Sequence, residues 1–264
     1  MLKTKRTIVY LLVTVALFLC SLSATAQPVS IDAFLINAGF PREVINKMST
    51  PQKQYLYEDC LGESVEFCGY EEKDFFISDD GELAEIDGIS LCGGLISSSD
   101  MTISVVGTRV STSAGDVYYK VYPAFKWHTH KKVDNDSFAM AMYPGWEAIP
   151  GERNLRLHLL NNQGQSVQYV DIDPASATSS GYVYKIPSNT GSLQGLYEGY
   201  ARYSIDKVSS TASPRISLYY AHDASTWFNA SYSLNIYGVN ISIGGNTNNI
   251  YTMSDNFYVE GLDQ

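Results

Sequence analysis

From about Met101 onward, apolar and polar residues alternate along the chain with a period of two. Met101, Ile103 and Val105 alternate with Thr102 and Ser104, and Leu155, Leu157 and Leu159 with Arg156 and His158. Ile216, Leu218 and Tyr220 alternate with Arg215, Ser217 and Tyr219; Tyr237, Val239, Ile241 and Ile243 alternate with Gly238, Asn240 and Ser242. Successive side chains of an extended strand point to opposite faces, so each run predicts a strand with one buried and one wet face. Asn161-Asn162-Gln163-Gly164 and Gly244-Gly245-Asn246-Thr247 supply turns between such runs. About eight to ten short strands separated by turns predict a mainly β protein, an antiparallel β-sandwich over residues 99–264. No internal repeat points to a propeller or solenoid.

The pattern before it is helical. Ser30 can cap a helix through Asp32-Ala33-Phe34-Leu35-Ile36 that Gly39 ends. Pro41 suits the start of a second helix, Arg42 to Met48, and Ser49 or Thr50 with Pro51 the start of a third that holds Tyr55, Leu56 and Tyr57. This short N-terminal helical segment spans residues 27–60, with Phe34, Leu35, Val44, Ile45 and Met48 facing one another. Residues 61–98 read as an acidic hairpin and linker: Asp74 to Ile77, a turn at Asp79-Asp80-Gly81, and a return strand. Residues 58–87 hold 12 of the 28 acidic residues against the single Lys73, but no register places oxygens and glycine as a helix-loop-helix calcium site needs. The texture of residues 30–60 resembles the N-terminal segments of exported proteins from Gram-positive bacteria; the resemblance carries no diagnostic motif and no functional residue.

Residues 1–26 read as a signal peptide. Lys3, Lys5 and Arg6 precede an apolar run from Ile8 to Leu22, and Ala24-Thr25-Ala26 suits cleavage before Gln27. The run falls short of the roughly 18–20 residues that span a bilayer. The expectation is secretion. Cleavage removes three of the 18 basic residues and none of the 28 acidic ones, leaving 15 against 28 and a formal charge of −13. That balance excludes nucleic acid and disfavours anionic membranes as partners. Cys60, Cys68 and Cys92 remain, and an oxidising compartment makes Cys60–Cys68 the simplest of three possible bridges.

The strongest chemical candidate is AFKWHTHKKVDND, Ala124 to Asp136. On a strand, Phe125 and Trp127 share one face while Lys126, His128 and His130 share the other. Two imidazoles two residues apart can grip zinc or another transition ion with Asp134 and Asp136 folding back to help, although Lys126, Lys131 and Lys132 oppose a cation; calcium would fall to the acidic segment instead. Cupins also carry a His-x-His strand, but Tyr122 stands where their motif wants glycine and the second motif is absent, which excludes that family. Covalent catalysis lacks a motif in context: Gly191-Ser192-Leu193-Gln194-Gly195 has leucine at the nucleophile position, and Ser204-Ile205-Asp206-Lys207 lies in an alternating strand.

Sixteen of the 19 tyrosines after residue 26 fall from Tyr118 onward, which opens a binding reading. Tyr118, Tyr122, Tyr200 and Tyr219 occupy polar faces of their strands and Trp146 follows a Pro-Gly loop, so exposed rings could stack on a glycan or anchor a cell-surface protein. The leading expectation is an exported, non-enzymatic protein whose sandwich binds a glycan, surface component or partner protein. The alternative is a metal-binding or hydrolytic sandwich centred on His128 and His130. A third is a membrane-active toxin inserting Ser225–Ile243, a hairpin that Gly238 and several asparagines interrupt.

Overall fold

The computed structural model describes residues 30–77, 83–85, 100–128, 131–132, 136–161, 165–186, 194–195, 197–223, 231–236, 239–244 and 250–263. The signal-peptide reading, the turn at 79–81, Cys92, His130 and Asp134 lie outside the described residues. In chain order the elements are α1 (Ile31–Asn37), α2 (Arg42–Lys47), α3 (Thr50–Cys60), β1 (Ser64–Ile77), β2 (Leu83–Glu85), β3 (Met101–Ser111), β4 (Val117–Trp127) and β5 (Lys131–Lys132). There follow β6 (Asp136–Met142), β7 (Trp146–Leu160), β8 (Ser166–Ile172), β9 (Ser176–Thr178), β10 (Gly181–Ile186), β11 (Gln194–Gly195) and β12 (Tyr197–Lys207). The last are β13 (Arg215–Asp223), β14 (Ser231–Ile236), β15 (Val239–Gly244), β16 (Ile250–Tyr258) and a closing 3₁₀ turn, Glu260–Asp263.

The helices begin where capping chemistry directs. Ser30 Oγ accepts from Ala33 N and Ser49 Oγ from Gln52 N, each at 3.2 Å, and Pro51 sits in the first turn of α3. With seven, six and eleven residues, none is long enough to be stable alone in water. They are held by burial. Leu35, Val44, Ile45, Met48, Tyr55 and Leu56 pack on Val106, Tyr122, Ala124 and Tyr200 of a sheet. The helical cluster is therefore a layer laid on the strands, not a unit closed on itself.

That sheet has seven strands in the order β2-β1-β3-β4-β12-β7-β8, every pair antiparallel. The segment read from sequence as an acidic hairpin contributes two of them: β1 pairs along β3 from Ser64↔Ser111 to Phe75↔Met101, and β2 returns beside β1. A second sheet, β16-β13-β6-β10-β9, faces it. The alternating positions meet between the two: Met101, Ile103, Leu155, Leu157, Tyr197 and Tyr203 from one side, Phe138, Met140, Tyr184, Ile216 and Leu218 from the other. The protein is thus mainly β, two antiparallel sheets preceded by a short helical segment. Close approach fixes one interior glycine: a Cβ on Gly199 would lie 2.4 Å from the Phe125 ring across the strand pair.

Among the described residues, β14 and β15 pair only with each other. β15 has Cα atoms within 8 Å of β6, β9 and β10, three neighbouring strands, so it lies over the outer face of the five-stranded sheet. Residues 239–244, part of the segment considered for membrane insertion, lie against the sandwich here.

Candidate functional site

Beside the helices, the outer face of the seven-stranded sheet carries a continuous polar row. Register pairs Asp74 with Thr102, Thr102 with Lys126, Lys126 with Glu198, Glu198 with His158 and His158 with Tyr169. Six strands each contribute one outward side chain, over roughly 24 Å at the usual strand spacing. These are the wet positions of the alternation, since Phe75, Met101, Trp127, Tyr197 and Leu157 beside them point into the core.

The loop from α2 to α3 overhangs this row and makes a cavity of about 330 Å³, lined by Lys47, Ser49, Gln52, Glu72, Asp74, Thr102, Ser104, Lys126, His128, Glu198 and Tyr200, with Ala124 and Phe125. At one side Glu198, only 2% exposed, lies 2.9 Å from His158 Nδ1, and Ser49 Oγ donates to it at 3.3 Å. The Ser49 and Tyr200 hydroxyls are 3.0 Å apart. Burial first, then the charge of Glu198, holds the Tyr200 phenol well above its ordinary range. At the other side Lys47 pairs with Glu72 at 3.2 Å, Tyr70 donates to Glu72, and Thr102 donates to Asp74.

Two buried polar atoms at this site have no hydrogen-bond partner among the described residues. They are Gln52 Nε2, on a residue 8% exposed, and His158 Nε2. Buried amide groups left without partners cost stability, so their presence asks for a reason. His158 lies flat under Tyr169, rings 4.4 Å apart and 4° from parallel, and Tyr169 is 52% exposed with its other face turned outward. Ser49, Glu198 and His158 do not form a hydrolytic triad. The serine touches the carboxylate instead of the imidazole, so no imidazole faces the hydroxyl as a triad requires.

His128 sits at the rim. Thr102 spends its one hydroxyl proton on Asp74, so it accepts from His128 Nε2, 2.7 Å away, which leaves Nδ1 as the ring's acceptor. Burial, then the nearby Lys126 charge, pushes the His128 pKa below its ordinary 6.5, against a smaller pull from Asp74, Glu72 and Asp100. An NMR titration of the native protein should give a His128 midpoint below 6.5, and Lys126→Met should move it upward; a native midpoint at or above 6.5 refutes this account. Because the folded pKa is depressed, the unfolded chain binds more protons between the two values. This residue's contribution to stability is complete above 6.5 and is lost as pH falls through the folded pKa.

Of the proposed metal ligands, the two described, His128 and Asp136, are not brought together. His128 lies on the outer face, whereas Asp136 is fully buried between the sheets, where the Tyr220 hydroxyl donates to it at 2.5 Å and the Tyr197 hydroxyl also donates. The seven-stranded sheet separates the two. No group of three metal-ligating side chains occurs among the described residues.

The expectation of exposed rings is corrected at four of five positions. Tyr122 and Tyr200 are buried because the helices cover that face, and Tyr219, paired with Ala139 in the five-stranded sheet, is buried as well. Trp146 opens β7 instead of sitting in a loop; its ring packs edge-on against Tyr119 and Nε1 donates to Ser213 O at 2.7 Å. Tyr118 is half-buried and donates to Glu63 at 2.9 Å. Nor are Cys60 and Cys68 bridged. Both are free thiols, Cys60 buried 3.2 Å from the Tyr122 hydroxyl and Cys68 on β1, with burial, then Glu66, raising its pKa to about 11. Gln52, Glu198 and Tyr169 were not singled out from sequence. Outward polar residues on six strands were the available signal, but only the register lines them up.

No family model matches the chain, and no curated protein matches it. Among solved structures it is similar to the pilus backbone RrgB of Streptococcus pneumoniae (9% identity, TM-score 0.29, covering 39% of this chain and 24% of that one). It is also similar to the collagen binding domain of the Erysipelothrix rhusiopathiae surface protein RspB (7%, 0.27, 46% and 55%). A third is a structure concerned with Streptococcus parasanguinis adhesion by Fap1 fimbriae (10%, 0.30, 74% and 96%). The chain spans about a quarter of the first and about half of the second. At such TM-scores no function follows. No helix among the described residues is long and apolar enough to cross a membrane.

Proposed function

We propose that this is an exported, non-enzymatic binding protein whose sandwich recognises an extracellular ligand, a glycan, surface component or partner protein, in the pocket between the α2–α3 loop and the seven-stranded sheet. The observation that carries this reading is Gln52: a buried side-chain amide with no partner, lining a cavity whose other walls are hydrogen-bonding side chains. A protein keeps such a group at a cost of roughly 1–3 kcal/mol unless something outside the chain satisfies it. Among the described residues the pocket holds no activated nucleophile, which favours recognition over covalent chemistry.

The test is Gln52→Leu, which fills nearly the same volume without the amide. We expect thermal stability to stay level or rise, and capture of extracellular glycans, matrix proteins and surface polymers on an immobilised panel to fall at least about tenfold. Panel binding that survives Gln52→Leu at full strength refutes the pocket as the binding site.

A further inference from the structure

The charges and hydrogen-bonding groups of this cavity narrow the class of ligand, an inference that rests on the binding reading above. Three carboxylates, Glu72, Asp74 and Glu198, and two amines, Lys47 and Lys126, line it. Lys47 is spent on Glu72, while Lys126 makes no ion pair with any described residue. An anionic ligand would enter against three carboxylates on a chain of net charge −10, and a cationic one would meet Lys126, unpaired among the described residues. The unspent donors are Gln52 Nε2 and Lys126 Nζ. The unspent acceptor capacity lies on Asp74 and Glu72, because a carboxylate offers about four lone-pair sites and these accept, among the described residues, from Thr102 alone and from Tyr70 and Lys47 respectively. An uncharged ligand that both donates and accepts at closely spaced points satisfies all of them together. A hydroxyl does both. A ring bearing neighbouring hydroxyls does so in a small volume, and about 330 Å³ is the low end of the ~300–1,000 Å³ range of small-molecule sites.

We propose that the pocket takes one neutral pyranose ring, its adjacent hydroxyls donating to Asp74 and Glu72 and accepting from Gln52 and Lys126, with Ala124 and Tyr200 beneath its C–H face. The polar lining thus acts as a set of paired hydroxyl contacts, and affinity for a single ring is modest, with Kd on the order of 1 mM.

The probes are methyl glycosides of glucose, galactose, mannose and N-acetylglucosamine, with methyl glucuronide as the charged match. They are titrated into the full-length protein while side-chain amide resonances are followed by NMR. At least one neutral glycoside should shift the Gln52 side-chain amide and bind at least about tenfold more tightly than the glucuronide. Lys126→Met should weaken it about tenfold, and Asp74→Asn should weaken it similarly, with thermal midpoints of both variants confirming that they fold. If the glucuronide binds better, or no neutral glycoside moves Gln52, the sugar assignment is overturned. Should a panel ligand of another kind still require Gln52, the pocket reading stands while the pyranose falls; if panel binding ignores Gln52→Leu, both fall.

Discussion

Asp59→Ala is expected to destabilise the protein by about 3–5 kcal/mol, the cost of breaking a buried ion pair and leaving its partners uncompensated. The Asp59 carboxylate, near the end of α3, is almost wholly buried and meets three groups from the sheet beneath. The Tyr122 hydroxyl donates to it at 2.9 Å, Lys120 Nζ lies 3.2 Å away and Arg202 pairs with its second oxygen. Lys120 is itself 2% exposed and also donates to Glu63 Oε2 at 2.7 Å and Asp59 O at 3.1 Å. The cluster fastens the helical layer to β4 and β12, so its loss should show in two ways. Chemical unfolding should give a lower midpoint, and Cys60, shielded against Tyr122, should react with thiol reagents faster in the folded variant. Replacing the carboxylate and its most buried partner together, as Asp59→Leu with Lys120→Met, should cost less than Asp59→Ala, since no orphan lysine remains and the partners then lost belong to the more exposed Arg202 and Glu63. A midpoint within 0.5 kcal/mol of the native protein for Asp59→Ala refutes the fastening role.

Asp136→Ala should cost about 2–6 kcal/mol, at about 1–3 kcal/mol for each of the two buried donors whose partner is removed. Tyr220 and Tyr197 both donate to this carboxylate, and Trp127 Nε1 donates to the Tyr220 hydroxyl at 3.0 Å. Trp127 and Tyr197 come from one sheet, Asp136 and Tyr220 from the other, so the network ties the layers together across an otherwise apolar core. Asp136→Asn keeps an acceptor and should cost less than half as much. The measurement is urea unfolding of both variants, in chelator and in micromolar zinc. A penalty that appears only with zinc would return Asp136 to the role of metal ligand.

The strands and helices could be read from sequence because their signals are local: period-two runs for the first, Ser30, Ser49 and Pro51 for the second. What local pattern cannot supply is which neighbour lies across from a residue. Lys126 and His128 were correctly placed on the face opposite Phe125 and Trp127, but nothing near them in sequence says that Glu198 is the next side chain along the sheet. The aromatic candidates failed for a related reason. Alternation tells which side of a strand a ring is on, and it does not tell that a second layer covers that side. Tyr122 and Tyr200 sit on outward positions, as expected, and are buried all the same because the three short helices lie on them. Asp136 was misjudged because a carboxylate at a strand start reads as solvent-facing until two tyrosines from distant strands are found around it.

The polar row is drawn from β1, β3, β4, β12, β7 and β8, and its middle contact joins Lys126 to Glu198 across a stretch of chain that builds β6, β9 and β10 of the other sheet. Pairings so distant in sequence are late events when a β protein folds, because the loop must close before the contact repays its entropy. The pocket accordingly has no counterpart in a partly formed chain. A one-residue slip of β12 would turn Glu198 inward and erase it. A ligand held there binds only molecules that have closed the seven-stranded sheet, so its whole binding energy adds to native stability, and its capture separates finished molecules from unfinished ones.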